Sequence, residues 1–386
     1  MTPTTSPAGP APQDLHPYPP AAGAVRATAA DADAADRPQV AVFVPALVLV
    51  IEIHEKGGAD DVHLHAGGQG YWVCRMIDAL GGVPLPCAPI GGETGVALDA
   101  IVRADGFEPC HVLTSAPNAS IIDDRRSGRR QQIVATDVPT LGRHEVDELY
   151  STVIGRSMRA GVCVIAGAHL APALPDDTFR RLVFDLRSNG VFVIADLSGA
   201  QLESALRGGV DLVKLSHDEL RRGGWSRSDS VRGVADGIAK LRLAGAGSAV
   251  VSRSERSTLC GFDDRLVEVR PPALEVVDGR GGGDSMTAAL AVATARGWPL
   301  DQAIRLAAAA GALNVTRHGL GTGRRDTIEE LASKVELCDA AGRSGQADLD
   351  HATRDQLYDL AKRHDIRGRS SMSRDELLSA VTAVMN

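Results

Sequence analysis

An α/β fold with a mostly parallel central sheet is what this sequence predicts, on three observations. Strand-length, mainly apolar runs recur at 162–167 (VCVIAG), 191–196 (VFVIAD), 211–215 (DLVKL) and 248–252 (SAVVS). Segments of helical period separate them, and in one Val231, Val234, Ala235, Ile238 and Leu241 return at helical spacing. Strands that are apolar on both faces need helices on both faces, the pattern of a covered parallel sheet. Third, two stretches (47–66 and 111–136) break the rhythm with short alternating patterns and no long helix. They predict a small antiparallel lid over the main sheet.

Taken in order, the first 38 residues hold eight of the 20 prolines and eleven alanines, with little else apolar. Such a tail buries too little surface to offset its ordering entropy, so 1–38 are expected to be disordered. Order should begin near Val40, where VAVFV reads as a buried strand. The main domain runs over 39–340. Residues 341–348 (AGRSGQAD) read as a linker. The last unit, 349–386, reads as two short helices joined by an extended loop. Leu357, Leu360 and Ala361 share one helical face there; Leu377, Leu378 and Val381 share another. Thr353 and Ser373 are placed to cap the two helices.

Composition narrows the function. The 386-residue chain is 44% hydrophobic but only 3% aromatic, so its core must be Ala, Val, Leu and Ile. A formal charge of −8 argues against nonspecific nucleic-acid affinity of the whole molecule. The six cysteines form neither a metal-knuckle pair nor a disulfide framework, which fits a reducing cytosol. No apolar run reaches the ~18 residues of a membrane span, and the N-terminus lacks signal-peptide order. A cytoplasmic location is expected. His63 and His65 would share one strand face, but no third ligand accompanies them, so a lid or core role outweighs a metal pair.

The chemistry concentrates at VVDGRGGGDSMTAAL (276–290). Successive glycines let backbone N–H groups turn inward as a nest for an anion. A helix starting near Ser285 would add its positive end to the same point. Asp284 then stands where it can take a hydroxyl's proton while Gly281, Gly282 and Gly283 hold developing charge. That division of labour suits phosphoryl transfer. The alternative from spacing alone is a glycine-rich turn with Asp284 as an ordinary helix cap. No G-x-x-x-x-G-K-[ST] occurs, which argues against a P-loop kinase.

DGRGGGDSMTAAL resembles the D-x-x-G-A-G-D signature of the ribokinase-like (PfkB) carbohydrate kinases. Other pieces follow in that family's order: HAGGQGYWVCRMIDALGG (65–82), IGGETG (90–95), VFVIADLSGAQLESAL with VDLVKLSHDEL, and NVTRHGLGTG (314–323). The resemblance spans about 40 to 340 and is nearest the 1-phosphofructokinase and tagatose-6-phosphate kinase branch. It implies a three-layer domain with a β lid often used for homodimerisation. ATP would be the donor, Mg²⁺ the bridging metal and a small-molecule hydroxyl the acceptor. By the same resemblance Asp284 is the base and Gly281–Gly283 the anion hole. Lys214, Ser216, Ser252, Ser254 and Asn314 fall on the nucleotide side. Gly67, Gly68, Gln69, Trp72 and Asn118 fall on the acceptor side, and Glu219 organises Mg²⁺ through water. A monovalent cation near Asp278 is left open.

Departures cluster on the acceptor side. Val48 stands where the family offers an Asp, Gln69 where it has Lys, and Trp72 where it has Asn. Ala116 and Pro117 occupy the neighbourhood of a phosphate-binding Arg. Losing those partners discriminates against a polyol phosphate, and Trp72 suits a flatter, nucleoside-like acceptor. Arg125, Arg126, Arg129 and Arg130 read either as an anion site or as a solvated hairpin tip. Ser216 replaces an Asn, and Ser254 and Ser257 replace two glycines of the donor-side turn. Either that turn has shifted, with Arg253 or Arg256 supplying charge, or ATP binding is weak. A catalytically impaired, regulatory relative is therefore the competing reading. The last unit resembles the SAP-like, Rho termination factor N-terminal module, which implies nucleic-acid contact through Arg367, Arg369 and Arg374. Six Lys/Arg against seven Asp/Glu over 348–386 make a poor footprint for phosphate backbone, so protein docking stands equally.

Overall fold

The computed structural model describes residues 37–340, save 168–173, 176, 255, 264 and 318, and residues 353–385, save 364, 365 and 367. The expected tail, but for its last two residues, and the expected linker lie outside the described residues, as does Arg367.

The chain opens with β1 (Gln39–Phe43), β2 (Val48–Lys56), β3 (Ala59–Gly67), α1 (Gln69–Ala79), β4 (Val83–Gly91), α2 (Gly92–Ala104), β5 (Cys110–Thr114), β6 (Ser120–Asp124) and β7 (Gln131–Ala135). It continues through α3 (Arg143–Ala160), β8 (Val162–Ala166), α4 (Asp177–Ser188), β9 (Phe192–Asp196), α5 (Gly199–Gly208), β10 (Val210–Ser216), α6 (His217–Arg222) and α7 (Val231–Leu243). Then come β11 (Ala246–Ser252), β12 (Thr258–Phe262), β13 (Arg265–Arg270), α8 (Gly282–Ala295), α9 (Leu300–Asn314), α10 (Arg325–Ser333) and β14 (Glu336–Asp339). Two helices, α11 (Arg354–Arg363) and α12 (Arg374–Met385), close the described chain.

Ten strands form the main sheet in the order β14-β13-β12-β11-β10-β9-β8-β1-β4-β5. The run from β11 to β5 is parallel, and β12, β13 and β14 add an antiparallel edge. Alternation sends successive strand residues to opposite faces. Val40, Val42, Val162 and Val164 enter the core under α1, α8 and α9. Ala41, Phe43, Cys163 and Ile165 enter the core under α3, α4 and α7. The three layers expected from apolar strands are the result.

The lid is a separate four-stranded sheet, β3-β2-β6-β7. It corrects the sequence reading twice. The β2–β6 pairing is parallel, so the lid is mixed rather than antiparallel. The first strand of 111–136, β5, belongs to the main sheet beside β4, and only β6 and β7 reach the lid. Alternating runs of five residues carry no label for which sheet they join; pairing partners decide it.

In the last unit Leu357, Ala361, Leu377 and Val381 are fully buried against one another. Ser373 caps α12 reciprocally with Glu376, as its S-x-x-E spacing predicts. No helix among the described residues is long and apolar enough to cross a membrane.

Candidate active site

A cavity of about 490 Å³ opens between the carboxyl ends of the parallel strands and the inner face of the lid. Ligands of open α/β sheets bind at those strand ends. Asp196 closes β9 there, Lys214 and Ser216 lie at the end of β10, and Glu219 stands in the first turn of α6. Gly281 and Asp284 complete this wall at the start of α8.

The glycine stretch folds differently from a three-residue nest. Only Gly281 takes a left-handed conformation, φ 72°, which an L side chain rarely adopts. Gly282 and Gly283 are already the first helical turn, so α8 starts at Gly282 and not near Ser285. The amides at this end are the unsatisfied N–H groups of the first helical turn. Asp284 lies on that turn, beside the positive helix end. Asn314 is not at the cavity wall. It is buried at the end of α9, donates from Nδ2 to the Arg280 carbonyl at 2.8 Å and accepts from the Gly321 N–H at 3.1 Å. Its role is to hold the Gly281 turn.

Charges at the strand ends interact strongly. Lys214 Nζ lies 3.3 Å from Asp196 Oδ2, which also accepts from Thr287 Oγ1 at 2.5 Å. Burial raises the pKa of Asp196, with Lys214 opposing the shift. Burial would lower Lys214, but Asp196, Asp284 and Glu219 outweigh it and hold the ammonium charged. Asp284 is pushed up to about 7, first by desolvation, then by the Asp196 carboxylate. Lys214, and a hydrogen bond from Gln69, pull it back. A carboxylate poised near neutrality can both accept and release a proton.

Ser216 and Glu219 form a capping box. Ser216 N and Oγ each lie 2.8 Å from Glu219 Oε2, and the Glu219 N–H returns a bond to Ser216 Oγ at 3.2 Å. Glu219 is thus both the helix-start acid and a member of the cavity wall. Ser252 pairs in register with Ser216 on the neighbouring strand, outside that wall. Ser254 is exposed and adopts φ 53°. That is a left-handed conformation which glycine adopts more readily. Neither nearby arginine supplies charge to the cavity. Arg253 is buried against Glu268 at 3.3 Å, and Arg256 pairs with Asp229 at 2.5 Å.

On the acceptor side, Val48, Gly67, Gly68, Gln69 and Trp72 all line the cavity. Trp72 does so while packed in the core, 8% exposed and tilted against the His65 ring at 5.9 Å. Burial lowers His65 to about 4, so it presents a neutral ring. His63 pairs with Asp61, and no group of three metal-ligating side chains occurs among the described residues. Asn118 is corrected. Its Nδ2 donates to the Leu47 and Pro89 carbonyls at 3.0 Å, and its Oδ1 accepts from the Gly91 N–H. The side chain is spent on backbone, away from the main cavity. Sequence reasoning passed over Asp196, Arg280, Glu52 and Asp123, which all line it. The acid that ends VFVIAD was the readable signal for Asp196, since strand-end acids face the ligand crevice.

A three-layer α/β domain with a helix end, an acid and a lysine converging under a lid is the frame of a phosphotransferase. The pfkB family carbohydrate kinase profile matches residues 50–327, and the chain belongs to that family. It is 29% identical over 276 residues to ATP-dependent 6-phosphofructokinase isozyme 2 of Mycobacterium tuberculosis, covering 69% of this chain and 80% of the relative. It is 22% identical to 1-phosphofructokinase of Bacillus subtilis over 71% of this chain and 88% of that one. In fold it is similar to phosphofructokinase-2 of Escherichia coli in complex with potassium, with TM-score 0.68 and 23% identity over 77% of this chain and 98% of the other.

Proposed function

We propose that the protein transfers a phosphoryl group from ATP to a hydroxyl of a sugar or sugar phosphate, with Asp284 as general base. The observation that carries the reading is Asp284 itself. It is an acid raised to about 7, on the first turn of α8, in a cavity large enough for a small acceptor. Its carboxylate would take the acceptor's proton as the acceptor oxygen forms the new O–P bond and the bond from the γ-phosphorus to the bridging oxygen breaks, with ADP leaving. The N–H groups of Gly281–Asp284 and the Lys214 ammonium stabilise the charge on the transferring group.

The residues present fit polyphosphate and a hydrated Mg²⁺. A Cβ at Gly283 would lie 2.4 Å from Lys214 Nζ, so only glycine lets the ammonium press against the helix end. A hydrated cation would be held through water by Glu219 and by phosphate oxygens; among the described residues no group of three metal-ligating side chains occurs. When bound, ATP supplies the phosphoryl group and Mg²⁺ neutralises it. Ser216 and Ser252 border the same strand ends. Support for a monovalent cation near Asp278 is weaker, because Arg280 already pairs with that carboxylate at 2.5 Å.

Two further readings belong to the assembly. The lid's outer face exposes Val62 at 54%, Leu64 at 53% and Val134 at 42%, a surface suited to a second copy of the chain. Light scattering of the wild type and Leu64→Glu tests that homodimer. For the C-terminal pair, nucleic-acid docking of the SAP-like kind is tested by a gel shift with and without 341–386. The six cysteines are free, in keeping with cytosolic work.

The test of the main reading is turnover on a panel of sugars and sugar phosphates. Asp284→Asn should lower kcat by roughly 10²–10⁴-fold while calorimetry shows ATP affinity retained. A variant that keeps more than about a tenth of the activity would remove Asp284 from this role.

A further inference from the structure

We infer that Arg125 and Arg130 of the lid form a guanidinium fork for an anionic group on the acceptor, so that the enzyme takes phosphorylated sugars and rejects their neutral counterparts. The inference rests on the phosphoryl-transfer reading above and deepens it.

Register places the fork. Glu52 of β2 and Asp123 of β6 are Cα partners in the parallel lid pair. Both share the strand face of Val48, Val50 and Ile121, which is the face lining the cavity. Each carboxylate holds one arginine. Arg125 Nε donates to Glu52 Oε1 at 2.6 Å, and Arg130 Nε donates to Asp123 Oδ2 at 2.7 Å. Both bonds run through Nε, which leaves Nη1 and Nη2 of each guanidinium for a ligand, the geometry that binds an oxyanion with two parallel N–H donors.

Exposure separates backing from front. The Glu52 and Asp123 side chains are 3% and 2% exposed, whereas those of Arg125 and Arg130 are 21% and 38% exposed. The carboxylates stand behind and the guanidinium groups face the cavity. A buried carboxylate carries a desolvation cost that a packed apolar side chain avoids, so this lid is not built for stability alone. Asp123 Oδ1 is buried with no hydrogen-bond partner, an acceptor that a hydroxyl of the sugar, not its anionic group, can satisfy.

The neighbouring arginine gives the contrast. Arg126 turns outward to Asp124 and Asp60 and does not line the cavity. The acceptor wall around it includes Val48, Val50, Ile121, Trp72, Gln69 and a neutral His65. Among the described residues two other cations line the cavity, Lys214 at the strand ends and Arg280 beside Gly281, and the lid contributes Arg125 and Arg130.

The experiment compares matched acceptors: fructose with fructose 1-phosphate and fructose 6-phosphate, and tagatose with tagatose 6-phosphate. Wild type is set beside two paired variants, Glu52→Gln/Arg125→Gln and Asp123→Asn/Arg130→Gln, which leave no buried charge alone. Wild-type kcat/KM should favour a phosphorylated sugar by about a hundredfold. Each pair should raise the acceptor KM about tenfold to a hundredfold, with the KM for ATP unchanged. Arg125→Lys, which keeps charge without the fork, should recover only part of the loss. Thermal melts confirm that the variants fold. Equal or better use of the neutral sugars, or paired variants with unaltered acceptor KM, overturns the inference. Should no sugar turn over, the kinase reading fails. Calorimetry of the same sugars on wild type and variants then decides the fork by whether phosphate preference exists and depends on these arginines.

Discussion

The strand-end wall and the lid wall face one cavity but arrange their charges in opposite ways. At the strand ends three acids, Asp196, Glu219 and Asp284, surround one ammonium, Lys214. Desolvation first, and then the neighbouring Asp196 carboxylate, lift Asp284 to about 7. On the lid wall each buried acid holds an arginine, Glu52 with Arg125 and Asp123 with Arg130. Such pairs fix the direction of donors. On the reading proposed above, one wall moves a proton and the other orients a ligand.

The sharpest way to break that contrast is to remove the single cation. Lys214→Gln should lower kcat/KM for ATP at least about a hundredfold, since the charge on the phosphates loses its nearest partner. Denaturant unfolding should also show a loss on the order of 3–5 kcal/mol, because Asp196 is left buried and unpaired. The next test removes a surplus acid. Wild-type kcat should climb with pH through about 7 as Asp284 loses its proton. Asp196→Asn should move that midpoint down by roughly one unit, because Asp196 is the leading charge that raises it. An unmoved midpoint would mean that another group titrates.

Stability gives a smaller, independent reading. The native state holds the Asp284 proton more tightly than the unfolded chain does. The group's contribution is therefore complete below about pH 4 and is lost as pH rises through about 7. Asp284→Asn escapes that loss. Above pH 7 it should be more stable than wild type by about 2 kcal/mol, allowing for cavity water, and no more stable below pH 4. The smallest effect should come from the lid's outer surface. Arg126→Gln should change the acceptor KM less than about twofold, since exposed pairs are weak and this one faces away from the cavity.

Much of this was legible in residue order. Apolar runs such as VCVIAG announced a covered parallel sheet, and S-x-x-E at 216–219 announced the cap of α6. GGGD marked the helix mouth, although the helix begins at the second of the three glycines. Asn118 and Asn314 were misread as ligand-facing because a polar residue in a motif looks the same whether it meets a ligand or a backbone amide. Position in space separates the two.

The sequence alone determined the elements, their apolar faces and the presence of an acid at a helix start, because those follow from periodicity and short-range backbone chemistry. Tertiary structure decided which charges meet. Asp196, Lys214, Glu219 and Asp284 come from four separate elements, and Glu52 reaches Arg125 across 73 residues. Desolvation and Coulomb energy depend on distances through space, and no local pattern along the chain encodes them.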